Sequence, residues 1–379
     1  MSPRTPAEFP AGLNFSAAAS YIEESARPEA TAVLRAGQNQ KEKERSTMPE
    51  TDGTPTLISQ PAVATPSRNA ELRTWFFGPR GLRAGWRLLL FFAIIAGFNA
   101  SLRLIVTMFL RRPLPTQITF SARGVLIADT GTFLLFLLVS WIMARIEGRT
   151  VADYGLPARG AFGSKFWQGL VIGFGAVSFL LLGLRVLGVF HFDGMGVHGW
   201  DIPKYAALWG AAFLAVGFTE EFVFRGYALF TLSTGIGFWP SAVLMSSLFA
   251  FVHYFNSNET WAGLTQVFWW GLMACIALRR TGSLWLPIGL HAGWDWAETC
   301  FYGVADSGQV APGHLLNTSF TGPKWLTGGV AGPEGSWLCI AMLVGMCFLF
   351  AVSWSGEARY PNLGRRVDSE PKAEILPQG

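Results

Sequence analysis

An all-α, polytopic membrane helix bundle of about eight transmembrane helices is the fold class this sequence predicts, and three observations predict it. Of 379 residues, 51% are hydrophobic and only 14% are charged, against about 25% charged in soluble domains. Apolar runs long enough to cross a hydrocarbon core of about 30 Å recur from Gly85 onward. Phe and Trp are abundant (31 and 16 residues), as lipid contact and interfacial anchoring require. The apolar–polar alternation of barrel strands is missing from these runs, so they read as helices.

The runs are 86–110, 124–145, 166–190, 205–232, 238–256, 261–279, 284–303 and 335–354, which makes 85–354 one transmembrane helical domain. Residues 1–74 differ in composition. Ala, Pro, Thr, Ser and Glu dominate there, around the run Lys41-Glu42-Lys43-Glu44-Arg45. Such a stretch buries too little apolar surface to offset its ordering entropy, so a disordered cytoplasmic segment is expected. No signal-peptide core follows Met1, and Met48 is an alternative start. Residues 355–379 are expected to be a cytoplasmic tail.

Lysine and arginine placement sets the expected topology. Arg73, Arg80, Arg83 and Arg87 lead the first run. Arg145, Arg149, Arg159 and Lys165 follow the second, Arg279 and Arg280 the sixth, and Arg359, Arg365 and Arg366 the last. Loops 191–204 and 304–334 hold one lysine each and should face outward. Arg111, Arg112 and Arg123 run against this pattern. The expectation is an integral protein of a bacterial-type plasma membrane with both termini cytoplasmic. The net charge of +4 is mostly arginine flanking apolar runs, so it reports topology and argues against a nucleic-acid partner. Cys275, Cys300, Cys339 and Cys347 show no paired spacing and read as small buried hydrophobes.

Ionisable groups inside apolar runs are costly and usually face a bundle interior or wet cavity. Arg103 and Arg185 lie near enough to run ends to snorkel. Asp129 either caps a helix start or faces the bundle. The concentrated chemistry lies elsewhere. Glu221 and Arg225 are four residues apart and share a helix face, which predicts a pair that neutralises both. Glu220 is rotated by about 100° and is left unpaired, as a general base working near neutral pH requires. Phe249 lies one turn before His253 and can wall its imidazole from lipid. His291 and Asp295 repeat the four-residue spacing, and Asp295 is expected to fix the His291 tautomer. Glu298, one turn further, is expected to solvate the helix end.

Together, Glu220-Glu221-xxx-Arg225, Phe249-xxx-His253 and His291-xxx-Asp295 resemble the CPBP family of integral-membrane proteases, also called Abi or CAAX-protease-related. Its pattern is EExxxR, FxxxH and HxxxN, each on its own transmembrane helix. The resemblance covers about 160–305. It implies an intramembrane endopeptidase opening toward the cytoplasm and acting on a peptide or protein substrate, membrane-associated or lipid-modified. It also implies that Glu220 and His253 activate water and that His291 stabilises the oxyanion. Asp295 stands where the family has Asn. An ionised carboxylate only accepts hydrogen bonds, so it cannot serve the oxyanion directly. No cofactor is required by glutamate–histidine water activation. Zinc is the alternative, held by Glu220, His253 and His291, although the HExxH helix of ordinary zincins is absent. Rival readings are a non-catalytic binding or immunity protein of the same fold and a proton-coupled transporter. No second half repeats the Glu220 motif, which counts against the transporter.

Overall fold

A computed structural model describes residues 73–78, 81–110, 120–256 and 258–353. The chain divides into two units, Met1–Thr65 and Pro66–Gly379, the first lying wholly outside the described residues. The expectations for the 1–74 segment, apart from a short helical stretch at 73–76, and for the 355–379 tail therefore fall outside them too.

Among the described residues the architecture is an all-α membrane helix bundle. Its helices are α1 (Ala84–Leu110), α2 (Ala122–Glu147), α3 (Ser164–Val186), α4 (Asp201–Arg225), α5 (Tyr227–Ile236), α6 (Phe238–His253), α7 (Trp261–Thr281), α8 (Trp285–Asp295) and α9 (Trp337–Ser353). Short antiparallel pairs join β1 (Phe77–Gly78) to β2 (Gly81–Leu82) and β3 (Phe190–Met195) to β4 (Leu316–Phe320).

Each of the eight expected runs falls on helix, but their lengths correct the simple count. Among the described residues five helical stretches are long and apolar enough to cross a membrane: α1, α2, α3, the α4–α5 stretch Asp201–Ile236, and α7. By contrast α6 has 16 residues, α9 has 17 and α8 has 11 before widening into a π-helical turn at Trp296–Phe301. Composition alone does not register these shorter lengths. The run expected over 205–232 also breaks at Gly226, whose backbone (φ −81°, ψ −122°) leaves the helical region. A Cβ there would sit 2.3 Å from the Phe222 carbonyl oxygen, so the break needs glycine.

Local chemistry fixes the ends. The Ser121 hydroxyl accepts the Gly124 N–H and the Thr260 hydroxyl accepts the Gly263 N–H, while Gly148 and Gly282 close α2 and α7 in the left-handed conformation. Glycine also sets the tightest packing. A Cβ on Gly169 or Gly173 of α3 would lie 2.2 or 2.1 Å from the carbonyl oxygen of Leu286 or Leu290. Reciprocally, a Cβ on Gly289 or Gly293 of α8 would strike the carbonyls of Phe166 and Leu170 at 2.0 and 2.2 Å. Small residues let helix backbones approach this closely. Gly217 of α4 meets α8 from its other side, 3.0 Å from the Ile288 oxygen by the same measure. So α8 is gripped between α3 and α4, and His291 is presented to the end of α4. The four cysteines are free and buried, as expected.

Candidate active site

His291 is the hub. Its Nδ1–H donates to Glu221 Oε1 at 2.8 Å, and its Nε2 lies 3.5 Å from Glu220 Oε2 and 3.6 Å from Asp295 Oδ2. Trp270 packs edge-on against its ring at 5.2 Å. Glu221 is fully buried, and the same Oε1 lies 3.4 Å from Arg225 Nη1. The expected Glu221–Arg225 pair is therefore present. The Arg225 guanidinium also stacks over Phe249, 4.4 Å from its ring centre.

Three expectations change here. Asp295 does not take the tautomer-fixing nitrogen of His291; Glu221 does. The i, i+4 spacing puts Asp295 near the ring, but α8's close packing turns Nδ1 toward α4 and leaves Nε2 on the Asp295 side. Glu298, expected at a solvated helix end, is instead buried and accepts the Trp294 indole N–H at 2.9 Å. The π-helical turn carries the helix past Asp295 and takes Glu298 inside. Glu220 is also less isolated than its rotation suggested, because His291 reaches it.

His253 ends α6. Its Nδ1–H donates to the Phe249 carbonyl at 2.8 Å, and the Phe249 ring meets its imidazole edge-on at 4.6 Å. That bond leaves Nε2 as the ring's acceptor. Glu220, His253, His291 and Asp295 all line one cavity of about 240 Å³. Other walls come from positions that sequence reasoning passed over or left open. Asp129 lines the cavity from α2, which settles its alternatives in favour of the bundle interior, since Ser121 is the cap. Gln266, Asp306 and Glu334 line it as well. Glu334 accepts from the Trp294 indole at 2.9 Å and the Ser307 N–H at 3.2 Å, and Thr299 donates to Asp306 at 3.0 Å. Loss of hydration raises Asp306, opposed by the Thr299 bond. The same loss, then neighbouring Asp306, pushes Glu334 up to about 8. These loop residues gave no sequence signal, being single polar residues in irregular stretches.

A zinc site would draw on Glu220, His253 and His291. Among the described residues no group of three His, Cys, Asp or Glu side chains is arranged to hold a metal ion. Both His291 nitrogens already face carboxylates. The side chains as placed do not fit zinc, and no step is derived through one.

The comparisons bear on the same helices. No curated protein and no solved structure matches the chain. One family model does, and its match runs from the first turn of α4 into the π-helical turn after α8, taking in all three motifs. Residues 202–297 are similar to the family described as Rce1-like, Type II CAAX prenyl endopeptidase Rce1-like.

Proposed function

We propose that the protein is an intramembrane endopeptidase that hydrolyses a peptide bond of a protein substrate with water activated by Glu220 and His253. The observation that carries this reading is the convergence of Glu220, His253 and His291 on a single cavity within an apolar helix bundle. Glu220 is the general base. His253, held by its Nδ1–H bond to Phe249, offers Nε2 to the same water. His291, anchored through Nδ1 by Glu221, directs Nε2 at the developing oxyanion when that nitrogen carries a proton. After attack, the proton taken from water passes to the leaving amine, completing hydrolysis without a covalent intermediate. Arg225 pairs with Glu221 behind the imidazole, and Phe249 and Trp270 shield the reacting polar groups from lipid.

A positioned base contributes roughly 10²–10⁴-fold, and an oxyanion donor roughly 10²–10³-fold. Cells carrying wild-type or Glu220→Ala protein should therefore differ by at least one membrane or secreted peptide that stops being cut. Purified protein in lipid should cleave that peptide, with Glu220→Gln and His291→Ala each lowering the rate by these factors. Unchanged cleavage in a folded Glu220→Gln variant would remove the peptidase reading and favour a binding protein.

A further inference from the structure

We infer that the site takes its substrate from the non-cytoplasmic face of the membrane, so that the polypeptide cut is one presented on that side. The helix ends meet in two groups, one at each side of the bundle. At one end, Arg87 at the start of α1 donates to Glu147 at the end of α2 and lies 3.4 Å from the Thr234 hydroxyl near the end of α5. Arg279 at the end of α7 stacks over Phe238 at the start of α6, and the Leu284 N–H ahead of α8 donates to the Gly155 carbonyl. That end carries Arg83, Arg145, Arg149, Arg159, Lys165 and Arg280 as well.

The opposite end is tied together by different bonds. The Asn258 amide donates to the Gly308 carbonyl, the Trp209 indole to Pro312 and the Trp296 indole to Ala206, and β3 pairs with β4. In the sequence its connections hold fewer positive charges, Arg111, Arg112, Arg123, Arg185, Lys204 and Lys324. Cytoplasmic flanks carry the excess of lysine and arginine, which makes the first end cytoplasmic and the second external.

The cavity belongs to the second end. Phe120, Asn256, Asp306, Gln309 and Glu334 line it from the connecting segments there, and Asp129 and Gln266 from the helix halves leading to them. His253 is the last residue of α6 at that end. Toward the arginine-rich end the way is closed: Glu221 and Arg225 are buried, Phe249 covers the guanidinium, and a Cβ on Gly271 would lie 3.0 Å from both the guanidinium and Ser246. Glu220 and His291 thus form the floor of a recess whose rim is external. This departs from the cytoplasmic opening that the family resemblance implies.

The inference uses the peptidase reading only for the word substrate, and its test does not need activity. Single cysteines at Ser319 (β4), Ser307 (cavity wall) and Ala161 (between α2 and α3) would be introduced into the full chain, whose native cysteines are buried. Ser→Cys is nearly isosteric, and Ala161 is exposed. A membrane-impermeant maleimide is then added to spheroplasts, before or after permeabilisation. Labelling of Ser319→Cys and Ser307→Cys in intact spheroplasts, with Ala161→Cys labelled only after permeabilisation, is the expected result. Any other pattern overturns it, including an external Ser319 with a Ser307 reached only from inside. Where cleavage is measurable, labelling Ser307→Cys from outside should also abolish it. Loss of cleavage in Glu220→Gln tests the peptidase reading separately and is indifferent to the labelling outcome.

Discussion

Arg87 and Arg225 each meet a glutamate inside the bundle, but their surroundings close very differently. Around Glu147, both carboxylate oxygens accept from Arg87, Tyr227 donates to one at 2.6 Å, and the Tyr154 hydroxyl lies 3.4 Å from the other. Thr234 takes a further guanidinium nitrogen. Around Glu221, one oxygen serves both Arg225 and His291, while Glu221 Oε2 and Arg225 Nη2 are buried without a partner. Buried polar groups are ordinarily satisfied, and an orphan needs an explanation. The first cluster spends all its valences joining helix ends. The second leaves some open and places its shared oxygen on a histidine facing a cavity. The difference teaches that a buried ion pair is read by what its remaining valences do, not by its presence.

Removing one charge from each cluster should separate them most strongly. Glu221→Gln strands a buried guanidinium, which costs about 3–5 kcal/mol, and takes the anchor from His291, so cleavage should fall along with stability. Glu147→Gln should cost less, about 1–3 kcal/mol, because Arg87 retains Thr234 and partial exposure. Its kcat should not change. Denaturant unfolding in detergent, run beside cleavage of the substrate found by proteomics, checks both. Equal loss of kcat in the two variants would erase the distinction.

Asp295 sharpens the comparison, because it is the second carboxylate beside His291. Asp295→Asn should keep substantial activity, since an amide offers the oxyanion a donor, whereas Asp295→Ala should lose most of it. Equal loss in both would mean that the carboxylate charge itself is required near Nε2.

Behind these groups stands the packing of α3 on α8. Gly173→Ala drives a methyl onto the Leu290 carbonyl, adjacent to His291. Overpacking of this kind costs about 1–3 kcal/mol, and here it should also weaken cleavage by moving the imidazole off Glu221. Gly175→Ala on the same helix meets open space and is the control for both readouts.

How far the sequence reached follows from the range of each interaction. The Glu221–Arg225 pair, the Phe249–His253 contact and the helical character of all eight runs depend on residues within a turn or on local composition, and were legible. The Glu221–His291 bond joins residues 70 apart. It depends on how closely α8 is drawn to α3 and α4, which five glycines decide jointly and no single position announces. Spacing therefore assigned the histidine's orienting role to Asp295, its neighbour on the helix. Glu298 was misread for a related reason: a π-helical turn shifts the face on which a residue emerges, and an apolar run does not reveal one. Asp306 and Glu334 enter the site through the fold of a long connection, where periodicity carries no information.

The smallest effect belongs to that connection. Glu334 is half-buried, held by Trp294 and Ser307, and raised by lost hydration and by Asp306 to about 8 from an ordinary value of 4.5. A carboxyl raised in the folded state binds its proton more tightly there than in the unfolded chain. Its contribution is fully present below 4.5 and is lost as pH rises through about 8. Stability of the wild-type protein should accordingly decline across that window, and Glu334→Gln, which keeps a neutral acceptor for the indole, should flatten the decline. Unfolding midpoints in detergent between about pH 5 and pH 9 measure the slope. A variant with the wild-type slope would assign the titration to another acid of the cavity wall, with Asp306→Asn the next to test. A flattened slope with kcat preserved would place Glu334 with Glu147, among the acids that hold the bundle rather than those that serve His291.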